Sequence, residues 1–261
     1  MLKGKVPNQI VPVLYGATLI AFSKPNGGVR PIAIGNTLRR LTAKAAAFSL
    51  KAELQPKLYP YQLGVSIPGG AEAIVHSGRS FCNSKILSSD PVAFLKIDFE
   101  NAFNSIRRDA FLRTIKKELG CLYPFLFQCY SEINFLIFNN HILDSAEGIQ
   151  QGDPLGPLCF SLCLQSLISR LASEFNAWYL DDGTLAGDPE IVKSDFETII
   201  SLQDSLGLKV NFRKCEISIL GTDLAQNDLI ASSFFTTLPR SEASSLQRYQ
   251  SPWCFSFFQW H

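Results

Sequence analysis

The spacing of apolar residues predicts that short strands and amphipathic helices alternate along this chain. Apolar-rich runs at residues 18–22 and 29–34 flank a Lys-Pro-Asn-Gly-Gly segment, and a turn of this kind between two such runs predicts a β-hairpin. Residues 38–54 are rich in Ala, Leu, Lys and Arg, which favour helix, and the Gly-Asn-Thr segment before them offers an N-cap. We therefore expect a hairpin followed by a basic helix.

A second pattern, between residues 91 and 221, follows the order strand, helix, loop, helix, hairpin, helix, strand. Its first strand is a β-favouring run at residues 92–97 that ends at Asp98. The hairpin is predicted at residues 178–185, where two short strands flank an acidic turn. This order is typical of an α+β layer, in which helices back a small, mostly antiparallel sheet. Beyond residue 221 the patterns fade, and we predict no element there.

Composition describes a folded protein without a disulfide framework or a membrane span. The 261 residues are 46% hydrophobic and 18% charged, well away from the composition of disordered chains. The seven cysteines are odd in number and scattered, with no CxxC pair, which argues against disulfides and against a zinc ribbon. We find no uninterrupted apolar run of about 18 residues and no secretory signal. We therefore expect an intracellular protein with no membrane partner.

The formal net charge of +1 conceals a strong separation of charge along the sequence. Residues 1–60 carry nine Lys or Arg and one Glu, whereas residues 121–200 carry two basic and eleven acidic residues. A basic segment can bind phosphates while an acidic segment collects divalent cations. The separation fits a protein that handles polyanions through metal ions, although solvated helix faces of unlike charge would give the same totals.

Three aspartates lie on backbone that is expected to be rigid. Asp98 ends a strand, and Asp181 and Asp182 lie in the hairpin turn. Burying a carboxylate there costs several kcal/mol unless a partner or a metal ion neutralises it. If the two elements pair side by side, the three acids form an all-oxygen site suited to Mg²⁺. The alternative is that Asp-Asp-Gly only forms a type I′ turn.

Five segments resemble, in order and rough spacing, the motifs of reverse transcriptases. They are KPNGGVRPIAIG at 24–35, FLKIDFENAFNSIRRD at 94–109, EGIQQGDPLGPL at 147–158, WYLDDG at 178–183 and GLKVNFRKCE at 207–216. The first is similar to the fingers hairpin of that family, the next three to palm motifs, and the last to a lysine-bearing segment after the catalytic hairpin. The resemblance covers about residues 12–221 and is closest to non-LTR retrotransposon enzymes, followed by group II intron relatives.

The resemblance implies an α+β right-hand polymerase fold. Fingers would occupy residues 1–90, and a palm with a small antiparallel sheet backed by helices would occupy residues 91–221. Residues 222–261 remain an unassigned tail, so the thumb is expected to be missing or rudimentary, as in a truncated element with an aberrant C-terminus. The implied activity is RNA-directed DNA polymerase, with an RNA template, a DNA or RNA primer and deoxynucleoside triphosphates as partners.

The resemblance also implies a catalytic role for four residues and a metal contact from a fifth. Asp98 and Asp181 would be the main ligands of two Mg²⁺ ions, for which Mn²⁺ is an alternative, with Asp182 and the backbone carbonyl of Phe99 contributing. Two such ions activate an attacking hydroxyl and stabilise the leaving pyrophosphate. Lys214 would protonate that pyrophosphate.

Further residues are implied in substrate binding. Lys24 and Arg30 would hold the incoming triphosphate, since both are cationic near neutral pH. Phe103, five residues after Asp98, would exclude a ribose 2′-hydroxyl, and Gln151 with Gly152 would shape the base and sugar pocket. The template phosphates would be contacted by residues of the basic helix, namely Arg39, Arg40 and Lys44.

Three other functions remain as alternatives. An RNA-dependent RNA polymerase would share the fold, but Phe103 and the absence of Gly before Asp181 argue against it. A non-catalytic nucleic-acid-binding remnant would explain a missing thumb. A metal-dependent phosphohydrolase would use the same acids but leaves the fingers hairpin unexplained.

Overall fold

Two β-sheets organise the protein, and the computed structural model describes residues 1–23, 27–85, 90–220, 224–235 and 247–248. The helices in these ranges are α1 (Val11–Leu14), α2 (Thr37–Ser49), α3 (Lys51–Leu58), α4 (Gly70–Lys85), α5 (Ala102–Ser105), α6 (Arg108–Glu118), α7 (Tyr123–Tyr130), α8 (Gly156–Ile168), α9 (Pro189–Leu206) and α10 (Leu224–Phe235). The strands are β1 (Ala17–Ser23), β2 (Val29–Gly35), β3 (Val92–Ile97), β4 (Asn134–Phe138), β5 (His141–Ser145), β6 (Phe175–Tyr179), β7 (Asp182–Gly187), β8 (Glu216–Leu220) and β9 (Gln247–Arg248). None of the described helices combines the length and the apolarity that crossing a bilayer requires.

The chain divides into two compact units that are interleaved along the sequence. Unit 1 contains Met1–Lys57, Asn101–Leu164 and Ser205–Leu208, and unit 2 contains the described residues of Leu58–Glu100, Gln165–Asp204 and Lys209–His261. The division predicted from the sequence, with boundaries after residues 90 and 221, differs from this one. The reason is that the chain leaves unit 2 after Glu100 and returns to it only at Gln165.

Unit 1 is built on a sheet with the strand order β2-β1-β4-β5. The predicted first hairpin is present, because β1 and β2 pair antiparallel over their whole length. Its tip, with Lys24, lies outside the described residues. The hairpin β4–β5 joins the sheet through a parallel pairing of β1 with β4, and neither of its strands was predicted.

Unit 2 is built on a sheet with the order β6-β7-β3-β8-β9, in which the first four strands are antiparallel. The central strand β3 coincides with the predicted run at residues 92–97, and five of its six side chains are buried. Helix α4 covers this sheet, because its Ile74 and Cys82 pack in one apolar cluster with Phe94 and Phe175. The α+β class and the mainly antiparallel palm-type sheet are thus as predicted.

Two stretches differ from the predicted elements. The single helix expected at residues 38–54 is divided at Leu50 into α2 and α3. At this point the Ser49 hydroxyl donates a hydrogen bond to the Ala46 carbonyl, a contact that competes with the helical ladder. The tail also contains structure, since α10 and the short strand β9, which pairs with β8, lie in it.

Arg39 is buried in unit 1 and is not the exposed template contact predicted from the basic helix. Only 2% of the residue is exposed. Its guanidinium pairs with Asp153 at 2.7 Å and also donates to Gln150 Oε1 and to the Tyr15 carbonyl. The Tyr130 hydroxyl donates to the same Asp153 oxygen at 2.7 Å. Arg39 therefore connects α2 to the loop before α8, while Arg40 is partly exposed.

We expect Arg39→Leu to lower the free energy of unfolding by about 3–5 kcal/mol, because Asp153 would remain buried without its cation. Arg40→Leu serves as the control and should change stability by less than about 1 kcal/mol. Urea unfolding of both variants measures the difference. A cost for Arg39→Leu no larger than that of the control would contradict a structural role for the buried pair.

Candidate active site

The pairing of β3 with β7 brings the three predicted aspartates to one end of the unit 2 sheet. The antiparallel register pairs Lys96 with Thr184 and Ile97 with Gly183, so the next residues in the ladder are Asp98 and Asp182. Asp182 begins β7, and Asp181 precedes it in the turn. The ladder therefore places the three aspartates at the same end of one sheet, within a single compact unit.

The hairpin turn differs from the type I′ turn that the alternative interpretation of Asp-Asp-Gly requires. Tyr179 pairs with Asp182, which leaves Leu180 and Asp181 as the two turn residues. Of these two, Leu180 alone has a positive φ, at 58°, which is the pattern of a type II′ turn. Gly183 is already in the strand.

The presence of glycine at position 183 is explained by packing against a neighbouring ring and not by the conformation of the turn. A Cβ atom at this position would lie 2.5 Å from the ring of Trp178, its cross-strand neighbour. Trp178 is completely buried, and the Phe99 ring stacks on it with 6.2 Å between centroids. Asp182 and Gly183 belong to the strand and not to the turn. The alternative that Asp-Asp-Gly is only a turn sequence therefore does not explain these two residues.

Burial and two neighbouring carboxylates affect the ionisation of Asp182. Burial, followed by the negative charges of Asp181 and Asp98, raises the pKa of Asp182 to about 6. Asp98 is mostly buried, with 18% of its side chain exposed. One of its oxygens, Oδ1, is buried and accepts no hydrogen bond. The site thus holds more negative charge than its surroundings neutralise, and it has an acceptor oxygen to spare.

The oxygen donors of these residues are of the type that divalent cations prefer, although the side chains are not close enough together to act as a set of ligands. No group of three His, Cys, Asp or Glu side chains within the described ranges stands close enough to hold a metal ion. A cation would nevertheless find hard oxygen donors in Asp98, Asp181 and Asp182. Phe99 lies opposite Val210 in an antiparallel bridge, and the two hydrogen bonds of this bridge are made by the neighbouring residues, from Glu100 N–H to Lys209 O and from Asn211 N–H to Asp98 O. Phe99 is therefore a non-hydrogen-bonded partner of Val210, and its own carbonyl points to the opposite side of the strand, toward β7.

Lys214 contacts the aspartate cluster. Its Nζ lies 3.3 Å from Asp98 Oδ2, and its side chain is 55% exposed. Lys209, a neighbouring candidate in the sequence, pairs with Glu100 at 3.1 Å. The geometry thus favours Lys214 for a role beside Asp98.

The predicted nucleotide-binding residues of unit 1 lie around the β2 strand and the loop before α8. Ala33 N–H donates to the Gln151 carbonyl at 2.6 Å. Gly152 has a φ of 114°, and a Cβ there would lie 2.6 Å from the Ala33 carbonyl oxygen. A cavity of about 390 Å³ is lined by residues of both segments, including Pro31, Ala33 and Gln151. The glycine is required by this close approach.

The remaining candidates of unit 1 occupy exposed or partly exposed positions. Arg30 is exposed on β2, and Lys44 is exposed on α2. Phe103 is partly buried and stacks on Phe160 with 4.6 Å between ring centroids. Ile149 N–H donates to the Phe103 carbonyl at 2.7 Å, which ties this residue to the loop that contains Gln151.

Sequence reasoning did not identify Gln62, whose side-chain amide contacts the turn that carries Asp181. The amide binds both the N–H and the carbonyl of Leu180. No spacing pattern links two residues 118 positions apart, so the sequence contains no local signal for this contact.

A family model and a curated relative identify the family of this chain. A model described as reverse transcriptase (RNA-dependent DNA polymerase) matches residues 22–248. The chain belongs to the reverse transcriptase family. A relative of this reverse transcriptase chain is the retrotransposable element SLACS 132 kDa protein of Trypanosoma brucei gambiense, 30% identical over 239 residues. The match covers 85% of this chain and 19% of the relative, so the chain spans about a fifth of that protein's length.

Solved telomerase structures share the fold of this reverse transcriptase. Apo telomerase from Candida tropicalis, truncated from its C-terminal domain, matches with a TM-score of 0.59 at 15% identity over 82% of this chain and 52% of that one. Telomerase from Candida albicans, in complex with a fragment of telomeric RNA, matches with a TM-score of 0.60 at 13% identity over 81% of this chain and 43% of that one. The fold is that of right-hand polymerases.

We expect Asp182→Asn to stabilise the metal-free reverse transcriptase at pH 7.5. The folded chain binds the Asp182 proton more tightly than the unfolded chain, whose Asp pKa is about 3.9. Stability is therefore lost as the pH rises from about 4 to about 6, and the full penalty applies above that range. Removing the charge should recover on the order of 2 kcal/mol at pH 7.5 and almost nothing at pH 4.

Urea unfolding in EDTA at the two pH values measures this effect. Glu197→Gln, which removes an exposed carboxylate from α9 in the same unit, is the matched control. Equal gains at both pH values, or a gain equal to that of the control, would show that the Asp182 carboxylate is not under electrostatic strain.

Proposed function

We propose that this chain catalyses RNA-directed DNA synthesis, extending a primer 3′ end with deoxynucleotides by two-cation phosphoryl transfer. The observation that carries the proposal is that one end of the unit 2 sheet holds three aspartates, one of which contacts Lys214. Membership of the reverse transcriptase family supports the choice of RNA as template. The primer, the deoxynucleotides and the cations belong to the proposal, since they follow from the general chemistry of such polymerases.

The carboxylates of unit 2 would hold the cations. Asp98 offers its free Oδ1, and Asp181 and Asp182 offer oxygens from the facing hairpin. Divalent cations bound there would supply activation of the primer hydroxyl and neutralisation of charge on the transferred phosphate. Burial and the negative charges of Asp181 and Asp98 raise the pKa of Asp182, and positive charge bound beside it would lower that pKa again.

Lys214 would act on the leaving group. Its ammonium lies beside Asp98 but remains more than half exposed, so it can turn toward a bound triphosphate. An ammonium at that position can donate a proton to the departing pyrophosphate. Because Lys214 neutralises part of the aspartate charge in the absence of substrate, it also keeps the three acids compatible with the fold.

Residues of unit 1 would select and hold the nucleotide and the template. Arg30, together with Lys24, would bind the triphosphate, while Gln151 and Gly152 would form the wall of the base and sugar pocket. Phe103 would exclude a ribose 2′-hydroxyl. Exposed cations of α2, Lys44 and the partly exposed Arg40, remain the candidates for template phosphates.

We expect Asp98→Ala and Asp181→Ala each to lower primer extension by at least about a thousandfold, since each removes cation ligands worth several kcal/mol of transition-state stabilisation. Glu197→Ala is the control and should extend at the wild-type rate. Extension of a primed RNA template with Mg²⁺ and deoxynucleotides is the assay. Retention of activity in Asp181→Ala would refute the assignment of the cation site.

We expect Phe103→Ala to increase ribonucleotide incorporation relative to deoxynucleotide incorporation, because the smaller side chain leaves room for a 2′-hydroxyl. Single-nucleotide extension with matched ribo- and deoxynucleotides gives the ratio of the two kcat/KM values. Phe127→Ala, an exposed position on α7, is the control. An unchanged ratio in Phe103→Ala would show that this residue does not select the sugar. If the wild-type chain itself prefers ribonucleotides, the result would favour an RNA-dependent RNA polymerase.

A further inference from the structure

A short segment that precedes α4 runs beside the catalytic hairpin within unit 2. Trp178 N–H donates to the Tyr61 carbonyl at 2.7 Å, and Leu63 N–H donates to the Trp178 carbonyl at 2.8 Å. These two bonds form an isolated parallel bridge centred on Gln62. The segment therefore attaches to strand β6 directly before the turn that carries Asp181.

Gln62 uses its side chain to continue this pairing into the turn. Its Nε2 donates to the Leu180 carbonyl at 2.9 Å, and its Oε1 accepts from Leu180 N–H at 2.7 Å. The same Oε1 accepts from Gly64 N–H at 3.2 Å. Gln62 is completely buried, so water does not compete for these bonds. The amide thus binds the turn as the backbone of a neighbouring strand would.

The residue that Gln62 holds is under backbone strain. Leu180 has a φ of 58°, and an L-residue other than Gly pays about 1–2 kcal/mol for the left-handed region. Such a conformation persists when the surrounding structure determines it, and here both backbone groups of Leu180 are bound by one amide. Because Asp181 follows directly, the orientation of the Leu180 peptide sets the direction in which the Asp181 carboxylate leaves the turn.

Gly64 contacts the same turn from the other end of the segment. A Cβ at Gly64 would lie 2.7 Å from Leu180 N and 2.9 Å from Leu180 Cγ. Backbone atoms at that distance must shift, so the absence of a side chain at Gly64 is needed for the observed turn. Two residues of one segment therefore determine the position of Leu180 by independent means, a hydrogen-bonding amide and a close approach.

We propose that Gln62 is a positioning residue for the cation-binding aspartates, acting on Asp181 through the Leu180 turn. This inference rests on the proposed function, because positioning Asp181 matters only if the aspartates bind cations. Gln62 does not touch the reacting atoms. Its effect is to fix the distance and direction between the Asp181 carboxylate and Asp98 across the strands β7 and β3.

The chain contains a matched control for this amide clamp. In unit 1, Gln128 Nε2 donates to the Val6 carbonyl at 2.6 Å, and Val6 N–H donates to Gln128 Oε1 at 3.2 Å. The same two-bond pattern there holds the N-terminal segment and no candidate catalytic residue. Gln128→Met and Gln62→Met therefore remove the same two-bond pattern, at a partly exposed position in unit 1 and at a completely buried position in unit 2.

The experiment compares Gln62→Met, Gly64→Ala and Gln128→Met in the full chain. We expect Gln62→Met and Gly64→Ala to lower kcat for primer extension by about 10–100-fold, since a displacement of about 1 Å at a reacting group costs that much. The KM for deoxynucleotides should be unchanged, while the Mg²⁺ concentration that gives half of the maximal rate should rise. Gln128→Met should lower the Tm and leave kcat and the Mg²⁺ dependence unchanged.

A second readout does not depend on activity. Mg²⁺ should raise the Tm of the wild-type chain and of Gln128→Met, and it should raise the Tm of Gln62→Met and Gly64→Ala by a smaller amount at the same concentration. Gly64→Ala retains the amide and keeps the test decisive if Gln62→Met fails to fold.

The outcomes separate this inference from the proposed function. Wild-type extension combined with unchanged kcat and unchanged Mg²⁺ dependence in folded Gln62→Met and Gly64→Ala would overturn the positioning role alone. A wild-type chain that shows neither extension nor a Mg²⁺-induced rise in Tm would overturn the proposed function and this inference together. A reduced Mg²⁺ response in the two variants, with a wild-type response in Gln128→Met, would support the positioning role.

Discussion

Mutual repulsion among three carboxylates at the end of one sheet is the constraint on which the rest of unit 2 depends. Asp98, Asp181 and Asp182 are held together by the backbone ladder between β3 and β7, which does not depend on their charge. Lys96 and Lys214 offset part of that charge, but burial, followed by the negative charges of Asp181 and Asp98, still raises the pKa of Asp182. A sheet that keeps excess negative charge in place is prepared for positively charged ligands, which is the state a two-cation polymerase requires before substrate binds.

The strands that carry these aspartates could be predicted because their apolar pattern is local. The run at residues 92–97 is buried on both faces and is apolar at all positions but Lys96, and the strand β3 follows it residue for residue. The turn could not be derived in the same way. Asp-Asp-Gly is a good turn sequence, yet Gly183 lies in strand β7, where the ring of Trp178 leaves no space for a side chain. A cross-strand contact, and not the turn, thus accounts for this glycine.

The residues that sequence reasoning missed or misread depend on contacts between distant parts of the chain. Arg39 lies on a basic helix and resembles a surface cation, but Asp153, 114 positions later, makes its burial favourable. Gln62 is one polar residue in a loop, and its role follows only from the position of Leu180. The hairpin β4–β5 was missed for a different reason, since Phe135–Phe138 is continuously apolar and shows no alternation that would mark a strand with one exposed face.

The central claim is that the three aspartates share a divalent cation site, and anomalous diffraction from Mn²⁺ tests it most directly. Crystals of the chain with a primed RNA template, a non-hydrolysable deoxynucleotide analogue and Mn²⁺ would supply the signal. The account predicts anomalous peaks within coordination distance of oxygens from both Asp98 and the Asp181–Asp182 pair. Ordered nucleotide with Mn²⁺ peaks only at other positions would contradict it.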